Sequence, residues 1–300
     1  MFGLSSRERL IFSRDGVDWP NHEASAFIKA GGFNWHIQRM GEGPALLLLH
    51  GTGASTHSFE ALAPLLARRF KVVAPDLPGH GFTTAAKAPD LSLPGMARSI
   101  AALLKALDFD PEVVVGHSAG AAILARLCLD AKIDAKLFVA INGAFLPFGG
   151  SARFFFPAIA RLLFLNPLAP RLFAWSARDA SVANLLQGTG SNIGRRGVAL
   201  YARLLANPSH VAGALGMMAN WDLTDLRDDL RRLKPSALLI VGQRDKAISP
   251  ATASAVAAEI PGAAVETIPN AGHLAHEEQP ERVYELIVDY AVRRGVLRRQ

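Results

Sequence analysis

Short, almost continuously apolar runs alternate with longer amphipathic segments along this chain. Such runs are typical of parallel strands that are covered on both faces of a sheet. The sequence predicts six of these strands: Ala45–His50, Lys71–Asp76, Glu112–Ser118, Lys136–Gly143, Ala237–Asp245 and Ala263–Asn270.

Helical patterns fill most of the intervals between these strands. Ser58–Arg69 and Ser99–Leu107 have apolar residues at helical spacing. A last helix is predicted to begin at Pro280, a good first-turn residue, and to stop at Gly295. This alternation predicts an α/β fold with a doubly wound, mostly parallel sheet.

One long interval breaks the alternation. From Ala144 to Leu233 no convincing strand is visible, only helical and Pro- or Gly-broken apolar sequence. We therefore predict a core made of residues 1–143 and 234–300. Residues 144–233, which we call the insert, are predicted to form a helical lid between two late strands.

The insert contains an apolar stretch, Phe154–Trp175, of about 22 residues, close to the length that crosses a bilayer. Its three prolines would break a spanning helix. Arg161 and Arg171 would each cost a few kcal/mol at the bilayer centre. The stretch is therefore predicted to roof the pocket, with contact to a membrane surface as the alternative.

Composition excludes some functions. The net charge is +6 and the pI is near 9.8, but the basic residues are dispersed in pairs, so no nucleic-acid partner is expected. Cys128 is the only cysteine, which excludes an intrachain disulfide or a CxxC metal site. Charged residues interrupt the N-terminal segment, so we expect no secretory signal and a cytoplasmic location.

The strongest signal for chemistry is Gly116–Gly120, GHSAG, which fits the pattern G-x-S-x-G. Three valines precede it and a helical segment follows, which is the strand–turn–helix context of a nucleophile elbow. Such a strained turn brings neighbouring backbone too close for a Cβ, which explains the flanking glycines. Ser118 is therefore the predicted nucleophile.

A serine hydroxyl needs a base, and the base needs an acid that orients it. Asp245 ends a late strand and His273 lies in the loop after the last one. The chain order Ser118, Asp245, His273 is the order found where the nucleophilic serine lies on a strand–turn–helix elbow. His276 competes as the base, but its position favours capping or solvation of the last helix.

Other acids fit less well. Asp222 and Asp225 lie in the insert, and Asn142, at the end of another strand, cannot replace a carboxylate as the partner of an imidazolium. The oxyanion hole needs two backbone N–H donors, for which Ala119 and Thr52 are predicted. The candidate pocket residues are large apolar side chains of the insert: Phe154, Phe164, Trp175, Met217 and Trp221.

No cofactor and no metal are predicted. His276-Glu277-Glu278 does not follow the H-E-x-x-H pattern and has no second ligand set. His50, in the loop after the first apolar run, is interpreted as a structural loop residue and not as a second base.

The motifs HGTGAST, DLPGHG, GHSAG, GQRD and GHLAHEEQP, in this order, resemble those of α/β-hydrolase fold enzymes over about residues 24–291. A narrower resemblance rests on VDWPNHEAS, FLNPLAPRLFAW, QGTGSNI and MMANWDL. These segments resemble the sequences of α/β-hydrolases that are associated with magnesium chelatase in bacteriochlorophyll synthesis. This resemblance implies a photosynthetic bacterium, tetrapyrrole chemistry, magnesium chelatase as a partner, and a place in the cytoplasm or at the photosynthetic membrane.

Three functions remain open at this point. The first is hydrolysis of a carboxylic ester or thioester of a bulky apolar substrate through an acyl-enzyme on Ser118. The second is a non-catalytic accessory or tetrapyrrole-binding role. The third is another chemistry of the same fold, although dehalogenases and epoxide hydrolases need a carboxylate at position 118.

Overall fold

The computed structural model describes residues 9–146, 163, 166 and 168–299. Within these residues one sheet contains nine strands, and each of the six predicted runs lies on one of them. The strands are β1 (Ser25–Ala30), β2 (Phe33–Met40), β3 (Ala45–Leu49), β4 (Lys71–Pro75), β5 (Thr84–Ala85), β6 (Val113–His117), β7 (Leu137–Ile141), β8 (Ser236–Gly242) and β9 (Ala264–Ile268).

The strand order is β1-β2-β4-β3-β6-β7-β8-β9, and β5 pairs with β2 outside this path. All pairs from β4 to β9 are parallel, in agreement with the prediction. The pairings of β2 with β1, β4 and β5 are antiparallel. The predicted doubly wound, mostly parallel sheet is therefore confirmed.

Two strands at the antiparallel end of the sheet, β1 and β2, were not predicted. Strand β2 buries the polar side chains of His36 and Gln38, which interrupt its apolar pattern. Each has a partner, as a buried polar group requires. His36 Nδ1 lies 2.8 Å from Asp76 Oδ2, and Gln38 Nε2 donates to the carbonyl of Pro20.

The helices surround the sheet and fill the insert. They are α1 (Phe12–Asp15), α2 (Leu62–Leu66), α3 (Leu93–Ala106), α4 (Ala119–Leu129), α5 (Ala169–Ser176), α6 (Asp179–Gly188), α7 (Arg195–Leu205), α8 (Pro208–Ala219), α9 (Thr224–Asp229), α10 (Pro250–Glu259), α11 (Ala275–Glu278) and α12 (Pro280–Arg293). Short 3₁₀ turns cover His22–Ala24, Thr56–Phe59 and Leu230–Arg232.

The first predicted helix is shorter than expected. The segment Ser58–Arg69 forms a 3₁₀ turn followed by α2, because Pro64 has no N–H to donate and is tolerated only in a first turn. The second, α3, is longer and begins at Leu93, where the Ser92 hydroxyl accepts a hydrogen bond from the Gly95 N–H.

Alternate residues of the strands enter two apolar layers. Leu47 and Val114 belong to the layer that contains α3 and α4. Leu46 and Val113 face the opposite layer, which contains α2 and α12. A parallel strand that is buried on both faces has this near-continuous apolar pattern, which is why these strands could be predicted.

The insert contains only helices and turns in its described part. Helix α8 comes so close to the loop after β4 that a Cβ on Gly213 would overlap the carbonyl oxygen of Gly79. The two glycines therefore allow backbone to contact backbone where the insert meets the sheet. No helix of the described residues is long and apolar enough to cross a membrane.

Candidate active site

Ser118 lies between β6 and α4 with φ 51° and ψ −119°, a conformation that L-residues rarely adopt. A Cβ on Gly116 would lie 2.5 Å from the Ala121 nitrogen, and one on Gly120 would overlap the carbonyl of Leu49. Only glycine fits at both positions. Backbone strain of this kind costs on the order of 1–3 kcal/mol and is often found at functional sites.

Asp245 and His273 are brought together at the same edge of the sheet. His273 Nδ1 lies 2.8 Å from Asp245 Oδ2, and the Asp245 side chain is fully buried. Its other oxygen, Oδ1, accepts hydrogen bonds from the N–H groups of Ala247 and Ile248 at 2.7 and 2.8 Å. Every hydrogen bond that the described residues make to this carboxylate comes from a donor, so its position and its acceptor role are fixed.

A fourth donor to Asp245 comes from Asn142. Its Nδ2 donates to Asp245 Oδ2 at 2.6 Å, and its backbone N–H donates to the carbonyl of Ile240. Sequence reasoning dismissed Asn142 as an acid and missed this supporting contact. The signal that could have found it is its place at the end of the strand next to β8.

His117, the residue before Ser118, contacts His273 and so connects the elbow to the His273 loop. His117 Nε2 donates to the His273 carbonyl at 2.9 Å, and the two rings lie 4.8 Å apart. Among the described residues, Ser118 Oγ does not form a hydrogen bond with His273 Nε2. The serine is half-buried and the His273 side chain is 12% exposed, so both remain accessible.

The loop after β3 lies against the elbow. A Cβ on Gly51 would lie 2.9 Å from Ser118 Cβ, so glycine is needed for this approach. The backbone N–H groups of Thr52 and Ala119 have no acceptor among the described residues. The Thr52 hydroxyl donates to the sulfur of Met217 on α8, at 3.3 Å.

His50 has a structural place in this loop. Its Nε2 accepts the Leu77 N–H at 2.9 Å, so Nδ1 carries the proton and donates to the Gly51 carbonyl. The side chain is fully buried, and burial lowers its pKa. A neutral imidazole with both nitrogens engaged holds the loop and is not free to act as a base.

His210, on α8, joins the insert to two loops of the core. Its Nδ1 accepts the Gly81 N–H at 3.1 Å, and its Nε2 donates to the Gly53 carbonyl at 3.0 Å. Burial lowers its pKa to about 4, so it is neutral near pH 7. Sequence reasoning missed this residue, because both partners are more than a hundred positions away.

Comparisons with known proteins identify the family of this chain. A profile of the alpha/beta hydrolase family matches residues 46–286, most of the chain. The chain belongs to the α/β-hydrolase family. The resemblance drawn from its motifs is confirmed.

Curated relatives of this α/β hydrolase cover nearly its whole length. It is 39% identical to the magnesium-chelatase 30 kDa subunit of Rhodobacter capsulatus, over 91% of this chain and 96% of that protein. It is 32% identical to a pimeloyl-[acyl-carrier protein] methyl ester esterase of Xanthomonas campestris, over 81% and 94%. The narrower resemblance to hydrolases associated with magnesium chelatase is thus also confirmed.

A solved structure supports the fold. The thermophilic esterase of Thermogutta terrifontis superposes with a TM-score of 0.74 at 24% identity, covering 90% of this chain and 98% of that one. At this level of identity the likeness concerns the fold alone.

The prediction that His276 caps the last helix or is solvated there was wrong. In this α/β hydrolase its ring is fully buried and is not solvated at the last helix. Its Nε2 lies 2.7 Å from Ser58 Oγ, and burial lowers its pKa to about 3. Its ring packs against the rings of His117 and Phe59, at centroid distances of 4.4 and 5.2 Å.

Glu277 lies beside it and links the core to the insert. Its Oε1 accepts hydrogen bonds from the hydroxyls of Ser58, at 2.6 Å, and of Tyr201 on α7, at 2.7 Å. Only 10% of its side chain is exposed, and burial raises its pKa to about 7. Neither this contact nor Tyr201 was predicted.

The predicted pocket residues occupy different environments. Met217 is fully buried, and Trp221 is half-buried against the same apolar layer. Trp175 is 78% exposed, so the structure places it on the outside of the insert, and its pocket role rests on the sequence alone. Phe154 and Phe164 lie outside the described residues.

Proposed function

We propose that this α/β hydrolase is a serine hydrolase that cleaves a carboxylic ester or thioester of a bulky apolar substrate. The Asp245–His273 pair supports this most directly, because it lies at the sheet edge from which Ser118 projects. A serine at the elbow favours an acyl-enzyme, whereas epoxide hydrolysis needs a carboxylate nucleophile there. No metal or cofactor enters the proposed reaction.

In the proposed first step, Ser118 Oγ attacks the substrate carbonyl carbon and His273 Nε2 takes its proton. Asp245 then faces an imidazolium across the 2.8 Å contact to Nδ1 and stabilises it. The leaving alcohol or thiol receives this proton as the carbonyl–heteroatom bond breaks. Water, deprotonated by the same imidazole, hydrolyses the acyl-enzyme.

The oxyanion of each tetrahedral intermediate is proposed to bind the N–H groups of Thr52 and Ala119. Both are free of acceptors among the described residues, as donors reserved for a ligand should be. The close approach of Gly51 to Ser118 keeps this loop beside the attacking oxygen. Such donors stabilise a developing charge because they are already oriented.

The missing contact between Ser118 and His273 is proposed to form when substrate binds. Hydrogen bonds in the catalytic machinery are often long or misaligned before substrate arrives. A rotation about the Cα–Cβ bond of Ser118 changes the direction of Oγ without moving the strained backbone. The nucleophile and the base would then act as one unit.

The insert is proposed to act as the lid of a domain formed by residues 1–143 and 234–300. Met217 supports this, because it contacts the Thr52 hydroxyl and so borders the proposed oxyanion hole. Its thioether offers an apolar, adaptable surface to a substrate. Trp221, half-buried against the same apolar layer as Met217, would extend this surface from the insert.

The pathway is proposed from the relative in Rhodobacter capsulatus. Identity of 39% over nearly the full length of both chains supports a shared role with a protein named as a magnesium-chelatase subunit. We therefore propose a tetrapyrrole ester as the substrate, magnesium chelatase as a partner, and work in the cytoplasm or at the photosynthetic membrane.

A fluorophosphonate probe tests the proposed chemistry. The purified full chain should become covalently labelled, and Ser118→Ala should abolish the label because no other group is placed at the elbow. Ser55→Ala is a matched control: this buried serine contacts His57 and should not affect labelling. Labelling that persists in Ser118→Ala would end the proposal.

A non-catalytic accessory role is the second candidate. Two observations favour it: the relative is named as a subunit, and Ser118 is not hydrogen-bonded to His273. Complementation of a strain that lacks the gene separates the two candidates. If catalysis matters, Ser118→Ala fails to restore pigment synthesis although the variant protein accumulates; restoration by this variant would favour the accessory role.

A further inference from the structure

Helix α5 carries its small side chains inward and its large ones outward. Ala169, Pro170 and Ala174 are buried, and α5 packs on α8. Leu172 and Trp175 are 62% and 78% exposed. A helix that only contributed to the core would bury the large apolar groups, because each contributes most of its hydrophobic free energy when it leaves water.

The outward side chains form one face. Leu168, Leu172 and Trp175 follow each other at intervals of four and three residues, which places them on one side of a helix. Phe173, 48% exposed, lies about 100° around the helix from Leu172 and is not part of this face. Leu168, Leu172 and Trp175 are called the α5 face below. Contiguous exposed apolar groups of this size mark an interaction surface more often than chance.

The sequence that leads into and out of α5 favours one kind of partner. From residue 144 to residue 178 the chain has four arginines and no aspartate or glutamate, and Asp179 follows directly. With 26 acidic residues in 300, about three would be expected in a segment of 35. Arg171, next to Leu172, and Arg178, two residues after α5, are both exposed. An acid-free basic segment with exposed Leu and Trp matches an anionic lipid surface.

We propose that the α5 face docks on the surface of a bilayer that contains anionic lipid. Its helix of eight residues is about 12 Å long, far too short to span, so it would lie in the interface. Tryptophan suits this depth, because its ring is apolar and its N–H reaches water. Arg178, exposed two residues after α5, meets the lipid phosphates.

The α5 face is connected to the candidate active site by one helix. Helix α8, on which α5 packs, also carries Met217 beside Thr52 and His210 beside Gly53. Docking would therefore hold the insert on the membrane and present the site to apolar molecules dissolved there. This last consequence depends on the proposed function, whereas the docking itself does not.

Vesicle flotation of the full chain tests the docking. We expect the protein to float with vesicles of phosphatidylcholine that contain 30% phosphatidylglycerol, and less with phosphatidylcholine alone. Leu172→Ser should weaken binding about tenfold, because one buried leucine is lost from the interface. Val17→Ser, which removes a 68% exposed valine outside the insert, is the matched control and should bind like the natural protein.

Tryptophan fluorescence gives an independent reading. The chain has four tryptophans. Trp19 and Trp35 are buried and Trp221 is half-buried, so Trp175 is the most exposed of them. Anionic vesicles should shift its emission to the blue, and bromine-labelled lipid should quench it. Trp175→Phe should keep flotation largely intact and remove the shift.

Two results would overturn the docking proposal: the natural protein could fail to float with either vesicle, or Leu172→Ser could float as well as the natural protein. Unchanged flotation of Leu172→Ser together with a change of oligomeric state would mean that a second copy of this chain covers the face. Lower thermal stability of Leu172→Ser with unchanged flotation would mean that this chain itself covers the face. Fluorophosphonate labelling of Leu172→Ser without vesicles separates a failed docking site from a failed hydrolase.

Discussion

Asn142 Nδ2 lies 2.6 Å from Asp245 Oδ2, so the end of β7 supports the carboxylate that follows β8. Two neighbouring strands thus contribute to one acid: the first supplies a donor and the second supplies the carboxylate. This contact makes Asn142 a positioning residue in the proposed reaction, since it acts on His273 only through Asp245.

Replacing Asn142 by glycine should lower kcat for p-nitrophenyl butyrate about tenfold and leave KM nearly unchanged. Glycine accepts the φ of 47° at this position, so the change removes the amide without adding backbone strain. Asp245 loses a donor and holds the protonated His273 more strongly. The acid limb of the kcat/KM profile should therefore move to higher pH.

Asn21→Gly is the matched control for this variant. Asn21 also has a positive φ and donates one side-chain hydrogen bond, to the Glu60 carbonyl, far from the site along the chain. It should change neither kcat nor the pH profile. An unshifted profile in Asn142→Gly would show that its amide does not act on the acid.

Asp245→Asn should reduce kcat by about 10³- to 10⁴-fold, since an amide at this position favours the wrong tautomer of His273. Asp222→Asn is the matched control. It removes an exposed carboxylate of the insert, an acid that the sequence analysis judged to fit less well, and the contacts of this carboxylate are with Thr224. Equal losses in both variants would contradict the assignment of the acid. Steady-state kinetics on the same ester measure both.

Local patterns explain what the sequence could predict. The parallel strands are near-continuous apolar runs, and GHSAG encodes the strained backbone at Ser118 within five residues. Asp245 and His273 follow successive strands, and parallel strands end at one edge. Their positions after two parallel strands therefore predicted that they lie close together, and they do so in the structure.

Contacts between distant segments explain what it could not predict. His210 and Gly81 are 129 positions apart, and Tyr201 and Glu277 are 76 apart. A histidine on an apolar helix or a glutamate after the His273 loop has no local sign of such a partner. Strand β2 was missed for the same reason, because the partner of its buried His36 is Asp76, which follows β4 and is 40 positions away.

Gly213→Ala should separate α8 from the core. The added methyl group meets the Gly79 carbonyl, and backbone cannot move aside as a flexible side chain can. We expect a loss of about 1–3 kcal/mol in the free energy of unfolding, from urea titration. Since α8 also carries Met217 and His210, KM for p-nitrophenyl butyrate should rise as well.

Gly188→Ala is the control for the preceding variant. Gly188 is the last residue of α6, and nothing lies within 4 Å of an added Cβ there. This change should be neutral or slightly stabilising, since alanine favours helix more than glycine does. A Gly213→Ala protein as stable as Gly188→Ala would contradict the close contact of α8 with the core.

Glu277 should make the fold less stable as pH rises. Burial raises its pKa from an ordinary 4.5 to about 7, so the folded state favours the protonated acid. This contribution is fully present below pH 4.5 and is lost as pH rises through about 7. Between pH 5 and pH 8 it should lower the free energy of unfolding by about 2–3 kcal/mol.

Urea titrations of the natural protein and Glu277→Gln at pH 5 and pH 8 isolate this contribution. Glutamine still accepts from Ser58 and Tyr201, so the link between core and insert persists while the titration disappears. Buried histidines such as His210 make acid destabilising in both proteins, and their effect cancels in the comparison. Glu281→Gln, at an exposed position, should behave like the natural protein. If Glu277→Gln changes with pH as the natural protein does, Glu277 does not set this dependence.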